Sequence, residues 1–200
     1  HIVISGFNTA SLWRARQAFT FGREKATPWD AKFIGLLRLR EWLATGHRWL
    51  ALHGTNSVLR WSKAAKAWEA PRDRAAFMQT VGSQFLSHPP IAPYLVEVTQ
   101  PDHPLVAGIE PFHAEDELYL SELHGPLEVL LHTRWSGDTP LFVDRDWTRE
   151  EPRPVMYLKR EGDGELLYFT LGHARGRYDM QPLMAEYPSV ERGSWPVPAF

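Results

Sequence analysis

The stretch Thr45-Gly-His-Arg-Trp-Leu-Ala-Leu-His53-Gly-Thr-Asn56 decides the fold class. A Thr-Gly pair reads as a helix end, with Gly46 at the C′ position. The apolar run Trp49–Leu52 is short enough for one buried strand, and a polar turn carrying glycine follows at once. Helix, short connection, buried strand and polar turn is the grammar of an α/β sheet with parallel strands. In such sheets ligands bind beyond the carboxyl ends of the strands, which is where His53 stands.

Upstream, Thr27-Pro28-Trp29-Asp30 opens the helix. Thr27 can cap it, Pro28 suits the first helical position, and Asp30 sits where a capping box puts its acid. Phe33, Ile34, Leu37 and the Trp42/Leu43 pair follow at helical spacing. Residues 7–26 carry a local basic excess and read as a solvated face. Before them Ile2–Ile4 reads as a buried strand entering a turn. A buried strand so near residue 1 implies that the chain starts inside its fold.

Downstream, Asp73 reads as the cap of a helix through Phe77, Met78 and Val81 that ends near Gly82. Phe85-Leu-Ser-His88-Pro-Pro reads as a loop, Tyr94–Val98 as a strand, Asp102–Gly108 as a loop and Leu127–Leu131 as a strand. Val155–Lys159 and Leu166–Thr170 flank Glu161-Gly-Asp-Gly164, a strong hairpin signal. The second of these strands runs into Leu171-Gly172-His173. A proline-rich tail, Tyr187–Phe200, is expected to wrap the surface. Residues 1–200 are expected to form a single domain.

Composition narrows the chemistry. The 200 residues contain no cysteine. That removes disulfides, thiolate-ligated metals and a cysteine nucleophile. It fits a cytoplasmic protein, the expected location, and leaves a periplasmic one open. The net charge is −2, which provides no general attraction to nucleic acid or to an anionic membrane surface. No apolar run approaches the roughly 20 residues of a spanning helix. Neither phosphate-binding glycine motif occurs, so no nucleotide cofactor is expected. The strand–serine–helix elbow of serine hydrolases is missing too, which leaves Ser57 and Ser87 as remote nucleophile candidates.

What remains is histidine placed after strands or in glycine and proline loops: His53, His88, His103 and His173. An acidic pair, Asp116-Glu117, ends a loop of its own. His103 reads as a turn former, and His113, His124 and His132 as ordinary polar residues. His53, His88, Glu117 and His173 are the candidate ligands of a divalent metal such as zinc, manganese or iron. His53, His173 and Glu117 are also the candidate acid–base groups. Trp29, Trp42 and Trp49 read as core. Trp61 and Tyr119 are candidate pocket walls, and Asp116 could hold sugar hydroxyls or orient a histidine. Arg175 and Arg177 read as solvated.

Four segments together resemble one family. They are Thr45–Gly54; Gly82-Ser-Gln-Phe85-Leu-Ser-His88-Pro; His103-Pro-Leu-Val-Ala-Gly108-Ile with Asp116-Glu117-Leu-Tyr119; and Pro154-Val-Met-Tyr with Gly164-Glu-Leu-Leu-Tyr-Phe-Thr170-Leu-Gly-His173. In this order, over about residues 45–180, they resemble the ThuA-like family, named for trehalose utilisation. The resemblance implies a flavodoxin-like, class I glutamine amidotransferase-like three-layer sandwich with a mostly parallel sheet. The first strand and helix of that fold are not visible in this sequence. It also implies a role in sugar catabolism beside enzymes that make keto-glycosides. Asp163-Gly164-Glu165 replaces the family's basic residues. The amidotransferase elbow that holds a cysteine falls at His53 or Gly54, and imidazole cannot replace the thiolate in glutamine hydrolysis.

Two functions follow as expectations. One is an enzyme acting on a keto-sugar or keto-glycoside by acid–base or metal-assisted chemistry. The other is a non-catalytic sugar-binding or regulatory domain on the same fold. The expected partner is a small sugar, with a homodimer as a further expectation.

Overall fold

The computed structural model describes the backbone of residues 2–6 and the whole of residues 39–173. The helix start at Thr27–Asp30, Trp29, the 7–26 segment, Arg175, Arg177 and the tail from Tyr187 lie outside the described residues.

Among the described residues eleven strands occur in chain order. They are β1 (Ile2–Gly6), β2 (Arg48–Leu52), β3 (Arg60–Ser62), β4 (Ala67–Glu69), β5 (Ser83–Ser87), β6 (Ala92–Val98), β7 (Phe112–Asp116), β8 (Leu120–Leu123), β9 (Glu128–Asp138), β10 (Asp146–Glu161) and β11 (Gly164–Phe169). Helix α1 covers residues 39–44 and α2 covers Ala75–Val81. The main sheet has seven strands in the order β1-β2-β11-β10-β9-β6-β7. β3 pairs with β4 and β5 with β8 in two small sheets.

The α/β class stands, but the expected mostly parallel sheet does not. β2 pairs in parallel with β1 and β11. Every other pairing in the sheet is antiparallel. The reason is local: β10 returns directly as β11 through the tight Glu161–Gly164 turn, and a tight turn can only join antiparallel strands. β10 then continues antiparallel along β9. Both described helices pack on one face of the sheet, where Leu43 and Val81 join Trp49, Ala51, Tyr157, Leu166 and Tyr168. The other face is covered by Val106 and Ile109 of the 102–109 loop, against Val96, Leu130, Val155 and Leu158. Alternation along β11 sends Leu166 and Tyr168 to the first face and Leu167 and Phe169 to the second.

The hairpin also finishes α1. The last carbonyls of a helix lack partners within it. Here Asp163 N–H donates to the Ala44 carbonyl at 3.1 Å, and Glu165 N–H to the His47 carbonyl at 3.1 Å. Gly164 permits this approach, since a Cβ there would lie 1.9 Å from the Leu43 carbonyl oxygen.

Two local readings change. Asp73 does not cap α2: residues Arg72–Arg74 form a 3-10 turn, and the N-cap position is Arg74, whose side chain makes no capping bond. Residues 83–87 are not loop but strand β5, buried at every position. Its polar residues hid it from hydropathy, and each finds a partner inside. Gln84 donates to the Pro71 carbonyl at 2.9 Å, and Ser83 meets the Tyr157 hydroxyl at 2.8 Å.

Candidate functional site

β2 and β11 are parallel, so their carboxyl ends share one edge of the sheet. Four successive antiparallel pairings lead from β11 to β7, an even number, so β7 also points to that edge. Three strand ends therefore deliver His53, Glu117 and His173 to one place. His88 arrives from the end of β5. Their side chains are only 10–16% exposed.

His53 opens the 3-10 turn His53–Asn56 at φ +39°, a conformation side chains rarely adopt. Its backbone is held from below. The Tyr168 hydroxyl lies between the His53 carbonyl and Asn56 Oδ1, 2.7 Å from the latter. Asn56 Nδ2 in turn donates to Ser83 Oγ at 2.7 Å. Strain held by a buried network is characteristic of functional positions.

The ring is oriented as firmly. Nδ1 lies 2.8 Å from the Thr170 carbonyl, which can only accept, so Nδ1 carries a proton. Nε2 then faces Glu117 Oε2 at 3.3 Å and the Tyr119 hydroxyl at 3.2 Å. His173 Nδ1 reaches the same Glu117 oxygen at 3.2 Å. His88 Nδ1 donates to the Pro89 carbonyl at 2.8 Å, and its Nε2 lies 3.6 Å from Glu117 Oε1. Burial would push the Glu117 carboxyl up, but the surrounding imidazoles of His88, His173 and His53 hold it well below the ordinary carboxylate range. Burial drives His88 down, towards its neutral form.

Asp116 is a positioning residue. Its carboxylate accepts the backbone N–H groups of Gly172 at 2.8 Å, His173 at 3.2 Å and Glu117 at 2.7 Å. It ties the ends of β7 and β11 together and sets the approach of His173. Its 1% exposure raises its pKa, against the pull of His53 and of these amides.

Could the set hold a metal? His53, Glu117 and His173 each offer one ligand atom, and these atoms lie within 4.8 Å of one another. Ligands at 2.0–2.1 Å from a tetrahedral ion stand about 3.3–3.4 Å apart. The 3.2 and 3.3 Å separations from Glu117 Oε2 match that edge. The donor set, two imidazoles and a carboxylate, suits zinc, manganese or iron. His88 stands outside this set of three, on the other carboxylate oxygen.

The structure thus gathers His53, His88, Asp116, Glu117, Tyr119 and His173. Trp61 is elsewhere: it stands half exposed on β3, edge-on to Trp68. Sequence reasoning missed Tyr94. Its hydroxyl is buried without a hydrogen-bond partner among the described residues. Burial and the Asp116 and Glu117 charges hold it well above the ordinary phenol range, so it remains a donor. Only its place in the strand Tyr94–Val98 could have drawn attention to it. Ser87 accepts from Trp147 Nε1 at 2.9 Å, a structural role. His103 accepts from Leu105 N–H within its own turn.

Fold and site define an α/β domain with a buried histidine–carboxylate cluster where three strands end. The chain belongs to the ThuA family, described as trehalose utilisation, whose model matches residues 37–186. A solved structure from Parabacteroides merdae ATCC 43184, described as ThuA-like, superposes with a TM-score of 0.50 at 17% identity, over 88% of this chain and 61% of that one. This chain therefore spans less than two thirds of that relative. A β-galactosidase from Rahnella sp. R3 matches at 14% identity and TM-score 0.44, over 68% of this chain and 18% of that one. An exo-β-1,4-mannosidase from Opitutaceae bacterium strain TAV5 matches at 14% identity and TM-score 0.36, also over 68% and 18%. The last two likenesses are too slight to bear on fold or activity. None of the curated proteins matches the chain. No helix among the described residues is long and apolar enough to cross a membrane.

Proposed function

We propose that this chain is an enzyme acting on a keto-sugar or keto-glycoside by metal-assisted acid–base chemistry. The observation that carries this reading is the convergence of His53 Nε2, His173 Nδ1 and both Glu117 oxygens in one buried site. His53, His173 and Glu117 would hold a divalent ion. Such an ion, when bound, polarises a carbonyl and stabilises the enolate oxygen formed next to it.

The chain's own residues supply the rest. His88, with Nδ1 committed to the Pro89 carbonyl, presents Nε2 as the base. It takes the proton from the carbon beside the keto group, and the electron pair moves onto the keto oxygen. Transfer of the adjacent hydroxyl proton to the enolate oxygen, with return of the abstracted proton to the former keto carbon, moves the carbonyl by one carbon and gives isomerisation. Expulsion of a glycosidic oxygen two carbons away gives elimination, with the proton delivered to the leaving oxygen. Tyr119 and Tyr94 keep their phenolic protons and can donate hydrogen bonds to substrate oxygens. Family membership in trehalose utilisation supports the choice of sugar substrate.

The test is incubation of the purified protein with 3-keto-trehalose, with and without zinc, manganese or iron, followed by product analysis. Turnover that needs a metal and falls at least about a hundredfold in Glu117→Gln supports the reading. Absence of turnover under every metal condition counts against it.

A further inference from the structure

A cavity of about 550 Å³ lies between β5, β8 and β10, beside the histidine cluster. Small-ligand pockets span roughly 300–1,000 Å³, so it is large enough for a ligand. Its walls include Tyr119, Trp147 and Tyr157, with Ser83 and Ser121 among the polar lining residues. Aromatic surface interrupted by a few polar groups suits a molecule with apolar faces and a polar rim.

Arg153 also lines this cavity and is 7% exposed. Its guanidinium lies over the Trp147 ring, 4.8 Å from the centroid. It donates to Glu151 Oε1 at 2.5 Å and to the Arg149 carbonyl at 3.0 Å, while its buried Nε has no acceptor among the described residues. A guanidinium has five N–H groups, so this buried one keeps donor capacity in reserve. Leaving such donors unmatched inside a protein is costly.

The charge balance selects among ligands. Two carboxylates line the cavity, and each is paired: Glu151 with Arg153, and Glu122 with Arg72 at 3.3 Å. Among the described lining residues no cation is left over to favour an anion. Tyr119 and Thr170 belong both to the cavity wall and to the hydrogen bonds of His53.

We infer that this cavity is a binding subsite for a neutral sugar ring, seated on the aromatic wall with its hydroxyls on Arg153 and Ser121. It would hold the part of a glycoside that does not react, next to the histidine cluster. The choice of a sugar rests on the function proposed above; the cavity and its charge balance do not.

Isothermal titration of the full chain with trehalose, methyl α-D-glucopyranoside and glucose 6-phosphate tests this. Leu123 lines the cavity and is 46% exposed, so Leu123→Trp can fill the space without disturbing the core. Both neutral glycosides should bind and glucose 6-phosphate should not. Leu123→Trp and Arg153→Met should weaken binding roughly tenfold or more. Should Arg153→Met fail to fold, Leu123→Trp decides alone. No binding of either neutral glycoside, preference for the phosphate, or unchanged affinity in Leu123→Trp would overturn the inference. Binding that follows the expected pattern without any turnover speaks against the proposed reaction and leaves the subsite standing.

Discussion

His53 Nε2 and Glu117 Oε2 stand 3.3 Å apart in a buried site. The opposite ring nitrogen of His53 is committed to the Thr170 carbonyl. In neutral His53 this places an imidazole lone pair against a carboxylate oxygen. Two electron-rich atoms at that distance favour a donor or a cation between or beside them: the Tyr119 hydroxyl, 3.2 Å from Nε2, a further proton or a metal ion. The relationship therefore has consequences for metal binding, pH response and stability.

Metal binding should stabilise the fold. A ligand at a hundredfold excess over its Kd adds about 2.7 kcal/mol. For a chain of this size that is a Tm rise of roughly 5–11 °C. Thermal scans with zinc, manganese or iron, before and after a chelator, should show it. His53→Ala and His173→Ala should abolish the rise. A Tm that no divalent ion moves would remove the metal from the proposal.

Asp116→Asn replaces one acceptor oxygen of the clamp on Gly172 and His173 with a donor. We expect a stability loss of about 1–3 kcal/mol by denaturant titration. Because the clamp positions a ligand, metal affinity should also fall roughly 10–100-fold. A purely structural role would lower stability and leave metal affinity unchanged.

Gly172→Ala tests how closely β11 passes His53. Gly172 has φ +135°, and a Cβ there would lie 3.2 Å from His53 Cβ. The backbone conformation penalises alanine, and the new methyl presses on the ring that must stay aligned. A loss of about 1–3 kcal/mol is expected, with a larger proportional effect on activity than on secondary structure by circular dichroism.

The site should make the protein acid-sensitive. Glu117 titrates well below its ordinary 4.5 in the folded state. Its contribution is fully present above that ordinary value and is lost as the pH falls through the lowered one. His88, depressed from 6.5 by burial, acts in the same direction: protonating it on acidification costs stability. In the presence of a chelator, the wild-type Tm should therefore drop more steeply below about pH 4.5 than that of Glu117→Gln. Parallel Tm profiles would show that Glu117 is not held by the histidines.

Periodicity and turn chemistry were enough to read several elements. The apolar run at Trp49–Leu52 is β2, Tyr94–Val98 lies in β6, and Glu161–Gly164 closes the β10–β11 hairpin. These signals are local, so one chain segment suffices to carry them. β5 escaped because its serines and glutamine are satisfied by Tyr157, Asn56, Trp147 and Pro71, residues outside the strand. Sheet direction escaped because a strand's partner on its far side leaves no mark on its own alternation. The position of Trp61 was equally illegible: a tryptophan close in sequence to His53 stands on a separate hairpin.

The sequence by itself determined the family, the absence of a thiol and the candidate histidines and carboxylates, because these are matters of residue type and order. It could not decide whether they meet. Glu117 is separated from His53 by β3 to β7, and His173 follows only after β8 to β11. The tertiary structure brings them together, because an even number of antiparallel pairings returns β7 to the edge where β2 and β11 end. Asp116 then bonds across that edge to the backbone of Gly172 and His173. The same packing committed Nδ1 of His53 to a carbonyl and turned Nε2 towards Glu117, a choice of nitrogen that no residue pattern encodes.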